Sequence, residues 1–220
     1  MINYQAKARL PIKDSTLFAT GKKMQWKADK WAIMALLCAS MALIPRTASY
    51  SEEMDLPVSQ QFGLFMKILT YDKHLKEFPG NEVVFAIVYQ SGYKTSQNTQ
   101  SELFNIISES KIDKLGNKNL KFITIDLSRY SDFSLAVNDN NIGIIYVAPL
   151  RAYSIDNITS ISRSRSIISM TGVPNYVEAG LAVGVSNRGG KPQILINLKA
   201  ARAEGANFGS QLLKLARVIE

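Results

Sequence analysis

Cysteine is all but missing from this chain. The single one, Cys38, lies inside the most hydrophobic N-terminal run, so the body of the protein can hold no disulfide. A chain of 220 residues can bury a core large enough to do without one, even in an exported protein. Histidine is as scarce. His74 stands alone, near Asp72 and Glu77, whereas a metal site needs three or four converging ligands. A surface helix end is the simpler reading, and a His-dependent triad would rest on this one residue. Gly-x-Ser-x-Gly and GxGxxG are both lacking, which removes the nucleophile elbow and the dinucleotide fingerprint. RGGKP at Arg188 to Pro192 lacks the spacing of a phosphate loop and sits between two strand patterns, so it reads as a hairpin turn. No catalytic, cofactor-binding or metal-ligating set assembles. That favours a binding or regulatory module over an enzyme.

Long hydrophobic runs are also lacking. The longest apolar stretch, Trp31 to Ile44, has about 14 residues against the roughly 20 that span a bilayer. Lys22, Lys23, Lys27 and Lys30 precede it, Pro45 ends it, and the small residues Thr47, Ala48 and Ser49 follow. This is the pattern of a secretory signal peptide, with cleavage expected near Ala48 to Tyr50 and an exported product. An uncleaved inner-membrane anchor over residues 31–45 is the alternative. A lipoprotein fits poorly, because bulky Leu37 precedes Cys38. Starting at Met24 gives the n-region ordinary proportions, so Met24 is the expected initiator and 1–23 an extension. An N-terminal sequence from Met1 in an export-blocked precursor would contradict this.

The formal charge of +8 is not spread over the chain. Residues 1–49 hold eight basic and two acidic residues, and the remainder has 18 basic against 16 acidic. A nearly neutral body gives no electrostatic reason to expect a nucleic acid partner.

The body alternates strand and helix patterns. After an acidic stretch expected to be a flexible lead over 50–60, Phe62, Phe65, Met66 and Leu69 recur at helical spacing within QFGLFMKILTYDKHL. EVVFAIVY, Glu82 to Tyr89, is the continuous apolar run of a strand buried on both faces. Thr99 and Glu102 form a capping-box pattern ahead of Leu103, Ile106 and Ile107. Lys121 to Leu127 and Ile142 to Ala148 are further strands, with a short helix at Ser131 to Val137 between them. Ser154 is placed to cap a helix carrying Ile155, Ile158 and Ile161. A strand from Ser166 to Met170 stops at Thr171, Gly172 and Pro174. A hairpin follows, Leu181 to Ser186 and Ile194 to Asn197, turning through Asn187 to Gly190. Asn197 caps a helix from Leu198 to Glu204, and a last helix from Ser210 places Leu212, Leu215, Ala216 and Ile219 on one face. The expected fold is α/β: a mostly parallel, Rossmann-like sheet flanked by helices on both faces, with a C-terminal antiparallel hairpin at the edge, in one domain over 61–220.

In such sheets ligands sit beyond the carboxyl ends of the strands. Those ends offer Gln90, Ser91 and Tyr93, then Ser128 and Arg129, then Pro149 and Arg151. Arg129, Arg151 and Tyr93 are therefore the candidates for an anion or ligand crevice, although no glycine-rich cradle accompanies them. A phosphorylated receiver domain is set aside, since it needs clustered acids at the strand ends and Asp126 has no acidic neighbour there.

ILINLKAARAEG followed by SQLLKLARVI, with Gly172 and Gly180 upstream, resembles the C-terminal signature of the YfiR family of bacterial periplasmic proteins. The likeness covers residues 140–220 and, less closely, Leu64 to Ser128. It implies a periplasmic regulator that binds the sensory domain of a membrane-bound signalling protein and represses it. The best-known member acts on a diguanylate cyclase, lowering cyclic-di-GMP signalling and biofilm formation. Two departures matter. Without cysteines in the body, redox control is not carried over. The family's Phe, Lys, Phe, Trp, Pro pattern is kept only roughly, by Phe65, Lys67 and Ile68, with Tyr71 and Asp72 where Trp and Pro are usual. Phe65, Lys67, Tyr71 and Asp72 are therefore the candidate partner contacts, and a homodimer is open. The reading from a different class is a small-ligand module using the crevice near Arg129 and Arg151; an enzyme comes third.

Overall fold

The computed structural model describes residues 53–130, 132–137 and 141–220. The expectations for the extension, the signal peptide and the start codon lie outside them.

The chain enters earlier than expected. Leu56 and Val58 are buried, and helix α1 runs Val58–Leu69 directly after Pro57. Residues 56–60 are thus part of the domain, a correction to the flexible lead over 50–60. Phe62, Phe65, Met66 and Leu69 all face the core from α1, each contributing about 2–3 kcal/mol by burial. The helix stops at Thr70, and a separate short helix, α2 (His74–Glu77), follows the Asp72 turn.

The sheet has β1 (Glu82–Tyr89), β2 (Lys114–Leu115), β3 (Lys118–Asp126), β4 (Ile142–Val147), β5 (Ile168–Thr171), β6 (Val183–Arg188), β7 (Lys191–Asn197) and β8 (Arg217–Ile219). Their order is β2-β3-β1-β4-β5-β6-β7-β8. Strands β3, β1, β4, β5 and β6 are mutually parallel; β2 is antiparallel to β3, and β7 to β6. Alternation along β1 divides the core. Val83, Phe85 and Ile87 point to the layer holding α1 and α3 (Lys94–Ser110). Val84, Ala86 and Val88 point to the layer of α4 (Phe133–Val137), α5 (Ile155–Ser164) and α6 (Pro174–Glu178). Because both faces are covered, β1 reads as an unbroken apolar run.

Local chemistry explains several boundaries. Ser154 Oγ accepts the Asp156 N–H at the start of α5, and Asn197 Oδ1 accepts the Ala200 N–H at the start of α7 (Leu198–Ala203). The β6–β7 turn is made by Gly189 (φ 59°) and Gly190 (φ 80°), the two left-handed residues of a tight hairpin. Asn187 and Arg188 are still strand residues, and Asn187 Oδ1 accepts the Gly190 N–H.

Three expectations are corrected. Helix α3 begins at Lys94, five residues before the Thr99 pattern; Thr99 is buried in its middle and no side chain caps its start. The short β2 and helix α6 were not anticipated. Nor does the chain end in a helix: α8 covers Ser210–Leu215, Ala216 is extended, and Arg217–Ile219 returns as β8, parallel to β7. Leu212 is buried at 1% exposure while Leu215 is 71% exposed, so the two leucines do not share a face in the core. Leu212→Ala is expected to cost roughly 2–5 kcal/mol, and Leu215→Lys to stay within about 0.5 kcal/mol, by urea denaturation.

Candidate functional site at the carboxyl ends of the strands

From β1 the chain passes to β3 on one side, then crosses to β4 on the other. The carboxyl ends of β1 and β4 are therefore the point where strand order reverses, the place where open α/β sheets hold ligands. The topology brings two of the three crevice candidates together there. The Arg151 guanidinium carbon lies 4.8 Å from the centre of the Tyr93 ring, a cation–π contact. The loops that carry them are tied: Arg151 N–H donates to Gln90 Oε1 at 2.7 Å, and Gln90 N–H donates to Ser96 Oγ at 2.9 Å. Tyr176 fixes the β4 side, since its hydroxyl accepts from Leu150 N–H at 2.8 Å and donates to Leu150 C=O at 3.2 Å.

Arg129 belongs to a different cluster. Its side chain is 80% exposed, and Nε lies 3.3 Å from Asp126 Oδ2. Asp126 Oδ1 accepts the N–H groups of Ser91 and Ser128, both at 3.0 Å, and Ser128 Oγ accepts from Gly92 N–H at 3.3 Å. Burial raises the Asp126 carboxyl, but the hydrogen bonds from Ser91 and Ser128 outweigh it and hold the group below the usual aspartate range. The Ser91 amide after β1 and the Ser128 amide after β3, which would suit an anion, are thus occupied by the protein's own carboxylate. Asp126→Ala, by leaving Ser91 and Ser128 N–H unpaired, should cost roughly 1–3 kcal/mol in a denaturant titration. Its contribution should be present above the ordinary aspartate pKa and fade as pH falls through the depressed one.

The four partner-contact candidates separate into two pairs. Phe65 is 1% exposed and packs edge-on against Tyr146, with ring centres 5.8 Å apart. Asp72 is equally buried, and its Oδ1 accepts from His74 N–H at 3.0 Å and Asn207 N–H at 2.7 Å. Neither can touch a partner in this conformation: one fills the core, and the other ties α2 to the segment leading into α8. Lys67 is exposed, whereas Tyr71 is half-buried against the core, with its carbonyl accepting Gly209 N–H. Among the described residues no three His, Cys, Asp or Glu side chains gather as a metal site. No helix among them is long and apolar enough to cross a membrane.

Two polar centres escaped the sequence reading. In the first, Gln61 accepts from the Tyr146 hydroxyl at 2.8 Å and donates to Leu56 C=O at 2.6 Å, under the backbone of Gly172. A glutamine set between apolar helix positions was the available signal. In the second, Glu204 is fully buried between α7, α5 and β5. Its Oε1 accepts from Ser162 Oγ and Ser169 Oγ, both at 2.7 Å, and its Oε2 from Ser169 N–H at 2.8 Å. Burial pushes its carboxyl up to about 7, against the pull of the serine hydrogen bonds and Arg163.

Together these features define an open, mostly parallel α/β domain whose strand-end crevice is bridged by its own side chains. A family model described as YfiR/HmsC-like matches residues 83–217, more than half of the chain, and the protein belongs to that family. The domain is similar in fold to a conserved domain protein from Vibrio cholerae O1 biovar El Tor, at 16% identity, TM-score 0.53, covering 74% of this chain and 60% of that one. A similar likeness, at 15% identity and TM-score 0.51 with the same coverage, is to the ABC domain in complex with L-Trp from Streptococcus pneumonia. At these identities the likeness is one of fold, and the chain spans 60% of the length of each. No curated protein matches the chain.

Proposed function

We propose that the protein is a periplasmic regulator that binds and represses a membrane-bound signalling enzyme, with a diguanylate cyclase as the partner. The reading rests on membership of the YfiR/HmsC-like family over residues 83–217. Two features support it. The basic n-region, the 14-residue apolar run and the small residues before Tyr50 form an export signal. The strand-end crevice is bridged by Gln90, Arg151 and Tyr93, and its amides are taken by Asp126, so surface contact accounts for the domain better than a buried ligand. Of the four candidate contacts, Lys67 is the one whose side chain is free to meet a partner, and Tyr71 offers a half-exposed ring beside it. Lys67→Glu is expected to weaken capture of the cyclase's periplasmic domain without lowering the melting temperature. Capture equal to wild type would take Lys67 out of the interface.

The Arg151–Tyr93 pair supports a second reading, a small ligand held at the crevice. Native mass spectrometry of the purified protein separates the two. A bound metabolite lost in Arg151→Ala favours the ligand reading, and an unliganded mass favours the regulator.

A further inference from the structure

The sheet is covered unevenly on its β3 side. Strand β2 has two residues and pairs only with Lys118 and Asn119, so among the described residues no strand flanks β3 from Lys121 onward on that side. Asn119 N–H donates to Asn81 C=O, just ahead of β1, whereas Leu120 N–H donates the other way, to Asp113 C=O at 2.7 Å. Alternation along the strand then directs the N–H and C=O groups of Phe122 and Thr124 outward as well. The run from Lys121 to Ile125 has no proline, and its register with β1 is unbroken. Such an edge is a template for another strand.

The side chains around it say which strand. Phe122 and Ile123 are half-buried, on opposite faces of the sheet, and Thr124 is exposed. Beside Phe122 lies a recess of about 520 Å³, whose apolar lining is Phe104 and Ile107 of α3 with Ile112, Leu120 and Phe122. Phe122 is held in its wall by Phe62 and Phe85, with ring centres 6.2 and 5.5 Å away. On the lip stands Phe104, 43% exposed. One patch thus carries both a recess and an aromatic projection, which is what a two-fold interface between identical surfaces needs.

We propose that two copies of this chain join through β3, antiparallel, with the two-fold axis at Ile123. In this register Phe122 exchanges both backbone hydrogen bonds with Thr124 of the second copy, and Thr124 with its Phe122. All four outward groups on each copy are then used. Phe122 faces Thr124 and Ile123 faces its own image, the aromatic and β-branched pairs that stabilise sheets. Lys121 faces Ile125, and the two copies of Lys121 stand roughly 14 Å apart, beyond a Debye length at ordinary salt. Phe104 of each copy turns to the recess of the other. The pairing does not rest on the regulator reading above, since it needs no cyclase.

Sedimentation equilibrium of the purified protein tests it. A dimer is expected at about 0.1 mM, because well-packed interfaces of ordinary size bind at micromolar concentration or tighter. Thr124→Pro removes an outward N–H that β1 does not use, and should raise the dimer Kd at least about tenfold while leaving the circular dichroism unchanged. If Thr124→Pro does not fold, the partly exposed Ile123 decides. Ile123→Lys and Ile123→Glu should each dimerise at least about tenfold more weakly than wild type, because like charges then face each other, and their equimolar mixture should dimerise better than either alone. A monomer at 0.1 mM overturns the proposal, including one that gains mass only with an extended peptide from another protein. So does a wild-type dimer constant in folded Thr124→Pro, or a mixture of the Ile123 variants no tighter than its components.

Discussion

Gly172→Ala is expected to destabilise the domain by roughly 3–5 kcal/mol, a fall in melting temperature on the order of 10 °C for a chain of this size. A Cβ built on Gly172 would lie 2.5 Å from Gln61 Nε2 and closer still to Oε1, so the amide must move. It has nowhere neutral to go. Gln61 is fully buried, holds Leu56 C=O through Nε2 and receives the Tyr146 hydroxyl through Oε1. Burial, reinforced by the charge of Glu102, raises the Tyr146 phenol well above its ordinary value, so it stays a neutral donor throughout the working range. Displacing Gln61 therefore strands two buried polar groups at about 1–3 kcal/mol each, on top of the overpacking. Gly63→Ala is the control. Gly63 is exposed within α1 with open space around it, and its replacement should stabilise by about 0.5–1 kcal/mol. Thermal unfolding of both variants checks the pair; equal melting temperatures would mean that Gly172 is not closed by Gln61.

The second large effect is a pH dependence carried by Glu204. Its folded-state pKa is pushed up to about 7 from an ordinary 4.5. A group raised on folding binds its proton more tightly in the native state, so its contribution is complete below about 4.5 and is lost as pH rises through about 7. Across that window the protein should lose about 3 kcal/mol of stability from this residue alone. Protonated Glu204 can satisfy every neighbour. One oxygen accepts from Ser169 N–H, and the other donates to Ser162 Oγ, whose hydroxyl turns to Thr159 C=O at 3.2 Å. Ser169 Oγ already accepts from Ala182 N–H and can still donate to the carbonyl oxygen. Gln at this position reproduces that pattern permanently. Glu204→Gln is thus expected to match wild type near pH 5, to exceed it by about 3 kcal/mol near pH 8, and to flatten the profile between. Glu204→Ala should be destabilised at both ends, because Ser169 N–H is left unpaired. Urea titrations across pH 4.5–8 test this, and a wild-type profile parallel to that of Glu204→Gln would contradict it.

What the sequence made legible follows from where each feature draws its cause. Strand β1 was readable to the residue because burial on both faces writes an unbroken apolar run. The caps at Ser154 and Asn197 were readable because a cap is made within three residues. The C-terminus misled because Leu212, Leu215, Ala216 and Ile219 have helical spacing, yet the edge beside β7 was open to a parallel strand, and Ala216 turned extended to take it. Helix α3 misled in the opposite way: Thr99 and Glu102 have the form of a cap, but the helix starts at Lys94 without one. The crevice was half legible. Strand-end position pointed to Tyr93 and Arg151, which lie side by side, and to Arg129, which pairs with Asp126 only three residues away. Phe65 and Asp72 were chosen by their place in a resemblance, which carries no information about burial. The centres at Gln61 and Glu204 join residues up to 111 and 42 positions apart, Gln61 to Gly172 and Ser162 to Glu204, and no local pattern announces them.

The account's central claim is repression, from the periplasm, of a membrane-bound cyclase. Cellular cyclic-di-GMP tests it most directly, measured in the parent, in a deletion strain, and in that strain complemented with either the intact gene or one lacking residues 24–49. The account predicts that deletion raises the cyclic-di-GMP level and that the intact gene, but not the one lacking residues 24–49, restores it. An unchanged level on deletion, with a protein of another class co-purifying with the chain, would contradict it.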